Sequence, residues 1–428
     1  QTMRPLPQIP EWVKLEHKVA QILTKQEIHG WHFDERAAWE LASSLRTELE
    51  QTCELLRNRH PFVAGPLFTP KRDNRTQGYV KGATCTKLIE TNITSRDHIA
   101  WILTTFHGWN PSQLTATGKP IIDEVTLKEA ASDGITIAET FLSCLDITKK
   151  LGLISQGKNA WLKLCTSASR LHHHCSTGAA TFRCCHRNPN LAQVPSDPRF
   201  RELFIPSSGN VLVGADLSGV ELRMLAHHLA RYDDSRYANI LLNGDIHQVN
   251  AEKVGVDRAT IKKISYCFLY GGGDEKLGHS YDKQLSSSSA KRKGKEIKQA
   301  YIEAIEGLDK LLADVKSAAE RGFIRAIDQR KILVDSSHKA LNFLLQGSSA
   351  CLAKRWLTIA HDNINQLGIE AHQLGFIHDE LQYETTPNNA NDLSTSLVLS
   401  ATEAGEYYGM RIRIDAESSI GNNWSETH

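Results

Sequence analysis

The chain has no apolar run long enough to cross a bilayer, no CxxC pair and almost no net charge. The first absence argues against a membrane-spanning protein. With no legible secretory leader, it sets the expectation of a cytoplasmic protein, in the host cytoplasm if a phage encodes it. The second removes the commonest zinc frameworks. Nine cysteines are present, an odd number without framework spacing, so reduced thiols are expected. Charge balances at 50 Lys and Arg against 49 Asp and Glu, a net of +1. Nucleic-acid-binding chains are usually basic, so such a function here needs cations gathered on one surface. There is also no internal repeat. What remains is a composition ordinary for a globular chain, 40% hydrophobic and 23% charged over 428 residues. That length suffices for two or three domains. The first residue, Gln1, reads as a cut start.

Residues 12–57 read as helical, with Leu15, Val19, Ile22 and Leu23 on one stripe, Ala38, Leu41, Leu45 and Leu49 on another, and Gly30 and Asp34 as breaks between them. Residues 58–96 carry no period. They hold three prolines and three glycines interleaved with Lys71, Arg72, Arg75, Lys81 and Lys87, the pattern of a long functional or disordered loop. Helical patterning resumes from Ser95 to about Lys163. His172, His173 and His174 are consecutive and so do not face one way, which favours a partly exposed turn over a metal site. The Ser-rich, then basic run 285–294 reads as a mobile loop. Long helical patterns follow to Arg321, and the C-terminal part alternates short strands and helices.

Two carboxylates stand out. Asp216 ends the apolar run Val211-Leu212-Val213-Gly214-Ala215, and Asp379 follows Gly375-Phe376-Ile377-His378. Each closes a strand that should be buried, where an unpaired carboxylate is costly unless a cation or a basic partner meets it. Two such groups brought together can serve a two-metal phosphoryl transfer. Between them, Arg258, Lys262, Tyr266 and Tyr270 recur every fourth residue on one face of a predicted helix that Asp257 caps and Gly271-Gly272-Gly273 ends. Two cations in the first two turns, near the positive helix end, suit a triphosphate with sugar and base beyond it. Alone, that stripe reads more readily as a solvated cationic face with edge tyrosines.

With these residues in order, Asp216 to Arg223 resembles motif A of family A DNA polymerases, the bacterial DNA polymerase I group. Arg258 to Gly271 resembles motif B, and His378-Asp379-Glu380 resembles motif C. Ala226-His227-His228-Leu229-Ala230-Arg231, Asn243-Gly244-Asp245-Ile246-His247, Phe268-Leu269-Tyr270-Gly271 and Gly421-Asn422-Asn423-Trp424 with the terminal His428 are similar to the T-odd coliphage-type replicative branch. The resemblance runs from about Ile9 onward. It implies an α+β right-hand polymerase fold with a helical thumb, an antiparallel-sheet palm and helical fingers. The implied division is 1–180 as thumb and connecting helices, 181–230 as the first palm part, 231–340 as fingers, and 341–428 as the second palm part.

The resemblance also implies roles. Asp216 and Asp379, with the Leu217 carbonyl, would hold two Mg2+ ions. Lys262 and Glu380 would complete the catalytic set. Arg258, Lys262 and His247 would meet the phosphates, Tyr266 the sugar and Tyr270 the templating position, while Glu221 would occupy the place of a ribose 2′-hydroxyl. Arg183, Gln346 and His378 would touch the minor groove at the primer end, where contacts sense pairing geometry rather than sequence. The implied partners are primer-template DNA, deoxynucleoside triphosphates and replisome proteins.

The chain departs from the family pattern at Thr181-Phe182-Arg183, where the family has Thr-Gly-Arg, and at Cys267, where it has glycine. The 58–96 stretch lies where the phage enzymes carry a longer insertion that binds a host thioredoxin, and its shortness counts against that partnership. The only Asp-x-Glu string is Asp415-Ala416-Glu417, in the polymerase part, so proofreading is not expected of this chain. Two other readings share parts of the pattern: a single-subunit RNA polymerase, against which Glu221 stands, and a non-catalytic DNA-binding relative, against which Asp216, Asp379, Arg258 and Lys262 stand.

Overall fold

A computed structural model of the chain describes residues 8–283 and 285–428. It divides into two compact units, one of residues up to Glu35 with Leu164–His428, the other Arg36–Lys163. Among the described residues no helix is long and apolar enough to cross a membrane.

The larger unit is built on a four-stranded antiparallel sheet, in the order Ala371–Ile377, Glu380–Thr385, Val211–Leu217, Ala416–Gly421. The central strands are buried almost throughout, and Leu212, Val213 and Leu381 have no exposure. Each such side chain contributes about 1.5–3 kcal/mol by leaving water. Helix Ala390–Tyr407 packs on the sheet and on helix Ala340–Gln366, against which helix Glu11–His29 also lies. Helix Glu11–His29 buries Leu15, Val19, Ile22 and Leu23, the stripe expected from the sequence. The helix ends at the first of the two expected breaks, Gly30, whose left-handed backbone (φ 70°) stops it, and the next helix starts after Asp34, at Glu35. A three-residue strand, Trp31–Phe33, intervenes and pairs with Arg170–Leu171 and Phe204–Ile205. Its two aromatic rings, Trp31 and Phe33, are fully buried against Phe204.

The helical segment that follows the first sheet strand holds helices Ile246–Val254, Arg258–Leu269, Asp274–Tyr281, Ser287–Ala304 and Leu308–Ala319. The run expected to be a mobile loop, 285–294, is mostly helix. Ser286 is an N-cap whose hydroxyl accepts from the Ser289 amide, so serine here starts a helix rather than loosening the chain. Residue 284 lies outside the described residues.

The smaller unit is helical around Leu56, Ile99, Leu103, Leu127, Phe141 and Cys144. The stretch expected to be an irregular loop contains a two-stranded hairpin, Phe62–Phe68 with Cys85–Glu90. Its strands are mostly exposed on both faces, which removes the alternation a sequence reading looks for.

Candidate active site

Strand Val211–Leu217 and the turn joining strands Ala371–Ile377 and Glu380–Thr385 meet at one end of the sheet. Asp216 is in register with Glu380, and the Leu217 amide donates to the Asp379 carbonyl at 3.0 Å. The turn is tight because His378 adopts a left-handed backbone (φ 63°). The fold therefore brings the two sequence-predicted aspartates, 163 residues apart by their numbers, to neighbouring positions. Burial, then the charges of Asp379 and Glu380, push the Asp216 carboxyl up to about 7. Burial, then Glu221, push Asp379 up to about 6, with Arg183 working the other way. Both values describe carboxylates short of positive charge. That is the fit expected for a divalent cation. Among the described residues no three His, Cys, Asp or Glu side chains converge on one point, so further oxygens, a backbone carbonyl among them, would share in its shell.

Glu380 is differently placed from its neighbours. It is buried, and its Oε1 accepts from Trp424 Nε1 (2.6 Å) and Gln382 Nε2 (2.7 Å), while Oε2 lies 2.9 Å from His428 Nδ1. Its oxygens are thus held by its own strand and by the C-terminal segment. Sequence reasoning quoted Trp424 and His428 as family strings without this contact, because nothing local signals a partner 44 residues away.

Helix Arg258–Leu269 forms as read from the sequence. Asp257 caps it by accepting from the Thr260 amide at 2.9 Å. Ile261, Ile264 and Phe268 face the core, and Gly271 (φ 72°) allows the Gly272 amide to close on the Cys267 carbonyl at 2.8 Å. Arg258, Lys262, Tyr266 and Tyr270 line a shallow hollow of about 600 Å³ with Cys267 and Lys276 among its other walls. Tyr266 and Tyr270 stack at 6.4 Å. Arg258 is paired with Asp245 at 2.6 Å, a partner the sequence reading missed. Asp245 also caps helix Ile246–Val254 by accepting from the His247 and Gln248 amides, so an N-cap signal was present in Gly244-Asp245-Ile246. His247 is buried with its ring 6.2 Å from Tyr266, and burial holds its titration below the ordinary range.

Two of the minor-groove candidates, Arg183 and His378, fall into one neighbourhood around Glu221. Arg183 Nη2 donates to Glu221 Oε1 at 2.8 Å, and Tyr270 donates to the same oxygen at 3.0 Å. His378 lies in the turn beside Asp379, and Gln346 is half-buried on helix Ala340–Gln366. Behind His378, the buried ring of His186 lies 6.0 Å away edge-on, and His173 stacks on His186 at 5.8 Å. His173 is 1% exposed and meets Gln26 at 3.1 Å, so the middle of the three histidines is core rather than part of an exposed turn.

The family model described as DNA polymerase family A matches residues 74–426. The DNA-directed DNA polymerase of Enterobacteria phage T3 is 30% identical, over 98% of this chain and 70% of the relative. The DNA-directed DNA polymerase of Escherichia phage T7 gives the same identity over the same shares. Among solved structures, the POL domain of Pol1 from M. smegmatis, in complex with DNA primer-template and dNTP, superposes with a TM-score of 0.77 at 20% identity. The match covers 96% of this chain and 70% of that one. That likeness carries the fold, an α+β polymerase fold with an antiparallel palm sheet and helical fingers. With the family match spanning most of its length and two phage relatives aligned nearly end to end, this chain belongs to DNA polymerase family A, a family of DNA-directed DNA polymerases.

Proposed function

We propose that this chain extends a primer 3′-hydroxyl with deoxynucleoside triphosphates on a DNA template, by phosphoryl transfer at Asp216 and Asp379. The observation that carries the reading is the pair of cation-deficient carboxylates at neighbouring positions at one end of the sheet. Asp216, Asp379 and the Leu217 carbonyl would hold two Mg2+ ions, whose chemistry is to stabilise the entering and leaving oxygens. The rest falls to the chain's own groups. Lys262 and Arg258 bind the triphosphate, and Arg258 gives up Asp245 to do so. His247 adds a further phosphate contact. Tyr266 abuts the sugar and Tyr270 the templating position. Glu221 crowds the 2′ position and disfavours ribonucleotides. Arg183, Gln346 and His378 read pairing geometry in the minor groove. Glu380 positions Asp216 and the C-terminal segment.

The same reading gives the chain no proofreading step of its own and places its work in the cytoplasm, that of the host if a phage encodes it. Primer-template DNA and deoxynucleoside triphosphates are its ligands, and replisome proteins its natural partners. The 62–90 hairpin supplies no argument for thioredoxin. Extension of a labelled primer across a defined template tests the reading: each added nucleotide should be the template's complement. Untemplated addition, or none, would contradict it.

A further inference from the structure

Phe182 carries a large ring on a backbone that suits glycine, and the structure shows how that ring is accommodated. Its backbone is left-handed (φ 62°), a conformation glycine takes freely and a bulky residue rarely does. A turn, closed by the Phe182 amide donating to the Ala179 carbonyl at 2.8 Å, leads into it. The ring turns inward and lies 4.8 Å from the guanidinium of Arg330. That guanidinium is 5% exposed, is paired with Glu16 at 2.5 Å and Asp328 at 2.6 Å, and has the Trp12 ring 5.5 Å away. Lys354 holds Glu16 from the other side at 2.8 Å. Phe182 thus seats on a charge cluster fixed by three separate chain segments, where a desolvated cation–π contact is at its strongest.

The neighbours of that ring are the point. The next residue is Arg183, which reaches Glu221 at 2.8 Å. The ring also passes Gly347, where an added Cβ would lie 3.8 Å from Phe182 Cδ2, and Gly347 follows Gln346 on its helix. A strained residue persists only where its surroundings over-determine it, and such sites cluster where geometry matters. We propose that Phe182 is a positioning residue: its ring, stacked on Arg330 and against Gly347, sets the register of Arg183 relative to Gln346 and thereby the sensing of a correctly paired primer end.

The proposal rests on the polymerase reading, and the two fail differently. If the wild-type chain performs no templated extension, the polymerase reading fails. The proposal is tested by the ratio of kcat/KM for matched over mismatched primer ends. Phe182→Tyr keeps the ring and should keep the ratio. Phe182→Gly relaxes the backbone and removes the ring. Displacing a positioning group by about 1 Å can cost about a hundredfold, so the ratio should fall by about tenfold to a hundredfold. Extension from matched ends should fall less. Phe182→Leu should behave as Phe182→Gly, and thermal unfolding identifies any variant that fails to fold, in which case the other carries the test. In an Arg183→Ala background, Phe182→Gly should change the ratio no further, because effects through one shared partner do not add. A wild-type ratio in folded Phe182→Gly, or full additivity with Arg183→Ala, overturns the proposal.

Discussion

Tyr270 and Glu221 are joined by a single hydrogen bond, phenol to carboxylate, 3.0 Å long. Arg183 donates to the same carboxylate oxygen at 2.8 Å, and Glu221 is only 12% exposed. One carboxylate therefore links the residue at the end of the fingers helix to a minor-groove candidate on the palm side. It cannot move without breaking both bonds.

Glu221→Ala should accordingly admit ribonucleotides. The expected rise in ribonucleotide over deoxynucleotide incorporation is about tenfold, the equivalent of one hydrogen bond to a charged group. Single-nucleotide insertion with each substrate measures it. An unchanged ratio means that Glu221 only ties Tyr270 to Arg183.

Glu384 makes the fold acid-sensitive. Burial alone would raise its carboxyl, but His29 Nε2 at 2.5 Å, the Ser207 amide at 2.6 Å and the Ser207 hydroxyl at 2.9 Å more than offset that and draw it down to about 2. A carboxylate depressed on folding stabilises above its unfolded pKa, ordinarily 4.5, and that contribution is lost as pH falls from there towards 2. The unfolding temperature of Glu384→Gln should lie below wild type by a constant margin above about pH 5, and the margin should shrink as pH falls further. A margin independent of pH would show that shape, not charge, is what Glu384 contributes.

Gly294 is the contact point of two fingers helices. A Cβ there would sit 1.7 Å from the Asp274 carbonyl oxygen, and one at Gly278 would sit 2.0 Å from the Ala290 carbonyl oxygen. Both obstacles are backbone, so the helices Asp274–Tyr281 and Ser287–Ala304 must part. Gly294→Ala should destabilise by about 1–3 kcal/mol, the usual range for overpacking, read as a lowered midpoint in denaturant. A variant as stable as wild type would mean that the helices part without loss.

These sites differ in how far the sequence disclosed them. Asp216 and Asp379 were legible because a charge that closes an apolar run contradicts its surroundings. The Arg258–Tyr270 stripe was legible because a helix repeats it and Asp257 caps it. The Gly278–Gly294 crossing was not, since a glycine in a Ser-rich, basic run looks like loop, and only the facing helix gives it a purpose. The 62–90 hairpin hid for a different reason: strands exposed on both faces have no alternation to read. Glu380 and Phe182 depend on partners distant in the chain, Trp424 and His428 for one and Arg330 for the other. Their residue types were visible and their tethers were not.

The most direct test of the account is primer extension by Asp216→Asn and Asp379→Asn in the presence of Mg2+, beside a measurement of primer-template binding. Each substitution keeps the shape of the side chain and removes one negative charge from the pair. Extension should fall by about a hundredfold to a thousandfold, the scale set by losing one preorganised electrostatic group. Binding should persist, because phosphate contacts come mainly from Lys and Arg. Near wild-type extension by either variant would contradict the assignment of the two carboxylates as the catalytic pair.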